Sequence, residues 1–164
     1  MGPSRYARLE DERRFLIGSL PDGVCEPRLI EDRYVTGTRL RLRCVTDNRG
    51  EVHKLGHKVR VDDERPSAVW HTSLYLEGPE YEVLLALDAR TITKRRWSLP
   101  VGGCADEFLG PLHGLVLLEG ERPFDAPPRA VEVTGDARFT GGALASLDAR
   151  AAASLVVEAK SMVA

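Results

Sequence analysis

Long apolar runs are absent from this sequence, and their absence argues against a membrane-spanning protein. No uninterrupted hydrophobic stretch among the 164 residues reaches the ~18 residues that a transmembrane helix requires. The N-terminal stretch MGPSRYARLEDERRFL also lacks the apolar core of a signal peptide. We therefore expect a protein that has no membrane partner.

Cysteine is scarce, which argues against a disulfide-stabilised scaffold. The three cysteines, Cys25, Cys44 and Cys104, are widely spaced and form no CxxC pair. An odd and sparse set is typical of reduced thiols, so a cytoplasmic location is expected. Cys44 alternates with arginines along a predicted strand, and we expect it to behave as a small core residue.

A strong excess of either charge is also missing. The 23 Lys and Arg residues are nearly balanced by 25 Asp and Glu residues, for a net charge of −2, which argues against a general nucleic-acid binder. A local basic site remains possible. The chain length and a hydrophobic content of 43% suit a single domain with a sizeable core, expected to span residues 1–164.

What the sequence does contain is a row of arginines at strand spacing. In TGTRLRLRCV, residues 36–45, Arg39, Arg41 and Arg43 occupy every second position. Successive side chains of a β-strand point to opposite faces, so the three guanidinium groups share one face. Like charges in line repel one another, and an anionic ligand on that side is one explanation. A solvated surface strand is the other.

The rest of the chain favours an antiparallel α+β fold. The turn sequence DNRG, residues 47–50, predicts a hairpin between the arginine strand and the VHKLGHKVRV strand. Further strands are predicted at VWHTSLYL, TITKRRWSL and HGLVLLEGE. The change of period in EGPEYEVLLALDA predicts a short helix, and the alanine-rich end predicts another at about 143–160.

Charged residues recur on one face of several of these strands. The basic strands contribute Arg39, Arg41, Arg43, Lys54, Lys58, Arg60, Lys94 and Arg96, and the strand-spaced acidic pairs are Glu10/Glu12 and Glu119/Glu121. A sheet closed into a barrel would turn one face of every strand inward. Such a lumen suits phosphoryl transfer, because guanidinium groups bind phosphate oxygens and paired carboxylates hold Mg²⁺ or Mn²⁺.

These motifs, in this order, resemble the CYTH, or triphosphate tunnel metalloenzyme, family. EDERR is similar to its ExExK motif, with Arg14 in place of lysine, and RYVTGTRLRLR and KLGHKVR are similar to its basic strands. TKRRW and DEFLGPLHGLVLLEGE are similar to the later K-x-R strand and to the segment that carries the second acidic pair. The similarity covers Leu9 to about Ala145.

The resemblance implies a closed antiparallel eight-stranded β-barrel with flanking helices, and a triphosphatase that depends on Mg²⁺ or Mn²⁺. Inorganic triphosphate is the expected substrate. The implied substrate-binding residues are Arg14, Arg39, Arg41, Arg43, Lys54, Lys58, Arg60, Lys94 and Arg96. The implied catalytic and metal-binding residues are Glu10, Glu12, Glu119 and Glu121, with Asp106 as an auxiliary metal ligand.

One departure from the family keeps alternatives open. Many members carry a further E-x-E pair on a central strand, but the corresponding stretch here, HTSLYL at residues 71–76, has no acid. A non-catalytic module that binds polyphosphate or a nucleotide is therefore an alternative. Within the family, an adenylate cyclase or a thiamine triphosphatase is another. The four histidines show no ligand spacing and are expected to be structural or surface residues, and the oligomeric state stays open.

Overall fold

Nine strands and three α-helices make up the fold in the computed structural model, which describes residues 5–62, 64–100 and 102–164. The strands are β1 (Arg8–Leu16), β2 (Arg28–Val35), β3 (Leu40–Asp47), β4 (Gly50–Arg60), β5 (Ala68–Leu76), β6 (Ala89–Ser98), β7 (Cys104–Phe108), β8 (Val116–Glu121) and β9 (Val131–Glu132). The helices are α1 (Gly78–Leu84), α2 (Gly141–Ala145) and α3 (Ala149–Met162).

The first eight strands close into an antiparallel barrel. Their order is β5-β4-β3-β2-β6-β7-β8-β1, and β5 pairs with β1 to complete the ring. The closing register places Arg8 opposite His71 and Asp11 opposite Ala68. Closure leaves the barrel with no free edge, and β9 adds to the far end of β1. The predicted eight-stranded barrel is confirmed.

The predicted DNRG hairpin joins β3 to β4. Asp47 pairs with Gly50, and the Asp47 carboxylate accepts a hydrogen bond from the Arg49 backbone N–H at 2.8 Å. Gly50 has a φ of 127°, a conformation that favours glycine. This turn sets the register that brings Arg43 opposite Lys54 and Arg41 opposite Gly56.

The barrel interior is divided into a charged part and an apolar part. At one end, the inward-facing Leu16, Ile92 and Leu117 join Phe139 and Leu144 in a buried cluster that also includes the inner face of α3. Charged side chains occupy the rest of the lumen. Sequence periodicity predicted the charged face but not the apolar closure, because Leu16 and Leu117 lie at the ends of otherwise charged rows.

Outside the barrel, apolar residues are covered by a loop as well as by helices. Phe15, Val116 and Leu118 pack beneath Phe124, which belongs to the proline-rich connection after β8. On the opposite side, α1 covers β4 through Tyr81, whose ring stacks on His53 at 4.1 Å between centroids.

The predicted C-terminal helix at 143–160 is two helices, so this prediction is corrected. The chain breaks between α2 and α3, where Asp148 accepts a hydrogen bond from the Ala151 backbone N–H at 2.8 Å. An aspartate in this position satisfies the free N–H groups at a helix start, which favours a new helix over continuation. Among the described residues, no helix has the length and apolar character needed to cross a membrane.

Candidate active site

A cavity of about 480 Å³ lies inside the charged part of the barrel. Most of the predicted site residues line it, although they come from five different strands and from the turn before β3. They are Glu10, Glu12, Arg14, Arg39, Arg41, Arg43, Lys58, Arg60, Lys94, Arg96 and Glu119. Strand closure therefore gathers side chains that are more than a hundred residues apart in sequence.

Arg41, Arg43, Lys94 and Arg96 form one side of the cavity, here called the cationic wall. Two buried aspartates accept hydrogen bonds from three of these four side chains. Arg43 donates to both oxygens of Asp32, at 2.6 and 2.7 Å, and Asp32 is fully buried. Arg96 donates to both oxygens of Asp106, at 2.6 Å each, and Lys94 donates to the same carboxylate. Such bidentate pairs fix the guanidinium planes and leave their other N–H groups directed elsewhere.

The electrostatics of this wall favour the ionised carboxylates. Burial opposes ionisation of Asp32, but the hydrogen bonds and charge of Arg43, with the charges of Arg41 and Lys94, hold its pKa below the usual range. Burial also opposes the charged form of Arg96, yet Asp106 raises the pKa of Arg96 well above its ordinary value. Asp32 likewise raises the pKa of Arg43 despite its burial, so Arg43 and Arg96 stay charged at physiological pH.

Several cationic groups of the cavity lack a strong partner. The Nε atom of Arg41 is buried and makes no hydrogen bond to the described part of the chain. Its nearest carboxylate oxygen, Oδ1 of Asp32, lies 3.5 Å away and is already bonded by Arg43. Arg39 and Arg60 also line the cavity, and neither side chain forms an ion pair within the described ranges. These three groups are therefore candidates for binding an anion.

The acidic residues of the cavity lining, here called the acidic wall, are Glu10 and Glu12 on β1 and Glu119 on β8. Glu119 accepts from Arg14 at 3.0 Å and from Arg96 at 2.9 Å, and these charges hold the pKa of Glu119 well below its ordinary value despite its burial. Glu10 accepts from Lys58 at 2.8 Å, and its other oxygen lies 2.7 Å from Nδ1 of His71.

Glu12 differs from the other two glutamates. Its carboxylate accepts no hydrogen bond from the residues that the structure describes, and the Lys58 ammonium is 3.9 Å away. Burial and then the charge of Glu119 raise the pKa of Glu12. A cation between Glu12 and its acidic neighbours would relieve this repulsion. All-carboxylate oxygen ligands suit hard divalent ions, so the donor set fits Mg²⁺ or Mn²⁺.

Three predicted site residues lie outside the cavity lining. The Lys54 ammonium sits over the exposed Tyr75 ring, 4.7 Å from its centroid, and Glu121 pairs with Arg8 at 3.0 Å on the surface. Asp106 is 1% exposed and lies behind Lys94 and Arg96, where both of its oxygens already accept hydrogen bonds. Its role as a metal ligand stays a prediction. In the structure it accepts hydrogen bonds from Lys94 and Arg96 and thereby holds these two cations in place.

Sequence analysis missed three residues in or behind the lining. Asp32 supports Arg43, Tyr34 reaches the cavity from the same face of β2, and His71 contacts Glu10. The adjacent acids Glu31 and Asp32 guaranteed that one would point inward, but only the register opposite Arg43 identifies which one. His71 was expected to be a structural or surface residue.

A glycine makes room for two of the polar groups. A Cβ at Gly56 would lie 3.0 Å from Nε2 of His71 and 3.6 Å from a terminal nitrogen of Arg41. The absence of a side chain on β4 therefore allows the imidazole and the guanidinium to approach the same part of the lumen.

Comparison with known proteins agrees with this geometry. The crystal structure of the inorganic triphosphatase NE1496 is similar over 85% of this chain and 99% of its own, with 27% identity and a TM-score of 0.54. A second crystal structure of NE1496 is similar over 83% and 97% of the two chains, with 28% identity and a TM-score of 0.53. The resemblance to the CYTH family is confirmed. This chain has the CYTH tunnel fold.

Further comparisons show weaker similarity or none. The PH1819 protein from Pyrococcus horikoshii OT3 shares 16% identity over 70% of this chain and 79% of its own, with a TM-score of 0.47. No protein-family model and no curated protein matches the sequence significantly.

The central strand of this CYTH tunnel lacks acids in the structure as in the sequence. His71 lines the cavity from β5, so Ser73 and Tyr75, two and four residues later, share its face. Ser73 Oγ lies 3.2 Å from Nε2 of His71. Histidine, serine and tyrosine therefore occupy the face on which many family members carry glutamates.

Proposed function

We propose that this protein is a triphosphatase that hydrolyses inorganic triphosphate inside the tunnel with the help of Mg²⁺ or Mn²⁺. The observation that carries the proposal is one cavity lined both by the buried Arg41 Nε, which makes no hydrogen bond to the described residues, and by the Glu12 carboxylate, which accepts none from them. The similarity to an inorganic triphosphatase at 27% identity supports the same reaction class.

The proposed roles follow from the two walls. Arg41 binds the phosphate chain through its guanidinium fork, which matches phosphate oxygens. Arg43 and Arg96, whose planes are fixed by Asp32 and Asp106, bind it through their remaining N–H groups. The free side chains of Arg39 and Arg60 extend the positive potential along the cavity. Hydrolysis adds water across a terminal P–O–P link, and the charge that develops on the departing group is stabilised by these fixed cations.

Glu10, Glu12 and Glu119 are the residues that would hold the divalent ion. An ion bound there would neutralise phosphate charge and activate a water molecule. Arg14 and His71 orient two of these carboxylates through the bonds to Glu119 and Glu10. Glu121 remains a predicted ligand, although it pairs with Arg8 on the surface.

Phosphate release with and without metal tests the proposal. We expect release from inorganic triphosphate with Mg²⁺ or Mn²⁺ and little with EDTA. ATP and thiamine triphosphate are included because cyclase and thiamine triphosphatase activities are the alternatives within the family. Faster release from either one, or conversion of ATP to a cyclic product, would contradict the choice of substrate.

Glu119→Gln separates catalysis from binding. The change is nearly isosteric, so it should lower phosphate release at least about tenfold, whereas affinity for triphosphate without metal stays equal or rises because one repulsive charge is lost. Glu107→Gln is the control, since Glu107 lies on β7 outside the cavity lining. Equal rates of phosphate release by both variants would show that Glu119 takes no part in the reaction.

A binding module without catalysis is the second candidate, and the acid-free face of β5 favours it. Tight triphosphate binding with no release under any metal would establish it. The double change Ser73→Glu with Tyr75→Glu would then restore a strand-spaced pair on the face of His71. We expect this variant to gain metal-dependent release if the missing acids are the cause of inactivity.

A further inference from the structure

A second group of metal-ligating side chains lies on the outer surface of the barrel, away from the tunnel. Cys44 on β3 is directly opposite His53 on β4, and Glu51 is two residues before His53 on the same face. Their ligand atoms all lie within 4.8 Å of one another, and Nε2 of His53 is 3.6 Å from Oε2 of Glu51. We propose that Cys44, Glu51 and His53 form a binding site for a borderline-soft divalent cation of the Zn²⁺ class.

The chemistry of the donors points to zinc rather than magnesium. Thiolate, imidazole and carboxylate is a mixed set that suits Zn²⁺, whereas Mg²⁺ and Mn²⁺ prefer oxygen alone. Zinc lies ~2.3 Å from sulfur and about 2.0 Å from nitrogen, so tetrahedral ligand atoms are about 3.4–3.6 Å apart. Oε2 of the exposed Glu51 side chain already lies 3.6 Å from Nε2 of His53, which is within this range.

The surroundings hold the site in place and leave it open on one side. The Tyr81 ring of α1 stacks on His53 with an interplanar angle of 15°, which fixes the imidazole plane. On the other side of Cys44, Glu31 of β2 is its direct cross-strand partner. Three protein ligands, with the fourth position left for water, match the coordination number of zinc.

A similar cluster in the lumen is a weaker candidate for zinc. Cys104, Asp106 and Glu119 also lie close together. Both oxygens of Asp106 accept from Lys94 or Arg96, and both oxygens of Glu119 accept from arginines. Within the described ranges, neither Cys44 nor Glu51 is paired with a lysine or an arginine, so the outer site has no cation to displace.

Cobalt titration tests the outer site independently of any triphosphatase activity. The protein, with no histidine tag, carries Cys25→Ser and Cys104→Ala, so that Cys44 is the one remaining thiol. We expect Co²⁺ to give a thiolate-to-metal charge-transfer band and the visible bands of a tetrahedral ion. Stoichiometric Zn²⁺ should abolish both, and excess Mg²⁺ should not.

Two further variants make the result decisive. Adding Cys44→Ala should remove the charge-transfer band, and His53→Gln in the same background should weaken Co²⁺ binding at least about tenfold. Circular dichroism of each variant confirms that the barrel is folded. The proposal is overturned if the Cys44 protein gives no charge-transfer band, if excess Mg²⁺ removes the band, or if His53→Gln binds Co²⁺ unchanged.

Discussion

The hydrogen-bond partners of each charged side chain in the lumen come mainly from other strands. Arg41 illustrates this, because its buried Nε has no hydrogen-bond acceptor among the described residues, while the next arginine on the strand, Arg43, donates two hydrogen bonds to Asp32. Two residues of the same type on the same face of one strand therefore have different chemistry. Arg41 is the better anion ligand, because its longer contact of 3.5 Å with Asp32 leaves its Nε–H without a hydrogen bond.

Arg41→Ala should weaken the binding of inorganic triphosphate severely. A hydrogen bond to a charged group contributes ~1.5–3 kcal/mol, which corresponds to a loss of affinity of roughly 10- to 150-fold. Arg41→Lys should also bind less tightly, because one ammonium group cannot reproduce the fork. Isothermal titration calorimetry measures both. Arg95→Ala, on the outer face of β6, is the control, and unchanged affinity in both Arg41 variants would exclude Arg41 from the site.

The Glu10 carboxylate predicts a pH dependence of stability. Burial opposes its charge, but the hydrogen bond from His71 and the charge of Lys58 lower the pKa of Glu10 from 4.5 to about 2. The folded state thus prefers the ionised form. This contribution is present above pH about 4.5 and is lost as the pH falls towards 2.

Glu10→Gln should accordingly lower the free energy of unfolding at pH 7 by the order of 2 kcal/mol. It should also flatten the fall in stability between pH 4.5 and 2. Urea unfolding at a series of pH values measures both effects, and the exposed Glu26→Gln serves as the control. Parallel stability curves for Glu10→Gln and the parent protein would contradict the assigned interactions.

Among the secondary-structure elements, α2 connects the C-terminal segment to the cavity. Thr140, Gly141 and Gly142 line the cavity together with Tyr34 of β2. A Cβ at Gly141 would overlap the Tyr34 hydroxyl, whereas a Cβ at Gly142 would lie 3.7 Å from a ring carbon of the same tyrosine. Adjacent glycines thus differ in the space around them.

Gly141→Ala should destabilise the fold by about 1–3 kcal/mol, because the added methyl displaces Tyr34 or α2. For a chain of this size the melting temperature should fall by about 2–4 °C per kcal/mol. Gly142→Ala is the matched control and should be neutral or slightly stabilising, since alanine favours helix. Equal melting temperatures for the two variants in calorimetry would show that α2 does not press on Tyr34.

At the scale of the whole molecule, the barrel brings several cationic side chains into one cavity, where a bound anion would reduce the repulsion between them. Arg39, Arg41 and Arg60 share one cavity, and their mutual repulsion opposes closure of the strands. A bound polyanion should therefore stabilise the folded barrel.

Inorganic triphosphate without metal should raise the melting temperature. At a concentration 100 times Kd the stabilisation is ~2.7 kcal/mol, or about 5–10 °C for a chain of this size. Sodium chloride at matched ionic strength is the control for general screening. The shift should be much smaller in Arg41→Ala, and an absence of any shift in the parent protein would contradict an anion site in the lumen.

Several features of this protein followed from the sequence alone. Strand periodicity is local, so the alternation around Arg41 and Arg43 and the parity of Glu10 and Glu12 predicted which side chains share a face. The DNRG turn predicted the β3–β4 hairpin. The strand faces and this hairpin depend on residues that are neighbours in the chain, whereas the closed tunnel was implied by the resemblance to the CYTH family.

Only the tertiary structure decided which of those charges meet. Lys54 has the same parity as Lys58, yet it lies over Tyr75 outside the cavity lining, because position along a strand depends on how the barrel closes. Asp32, His71 and the residues of α2 reach the site through pairings that no local pattern specifies. Long-range register sets these contacts, and register follows from the packing of all eight barrel strands together.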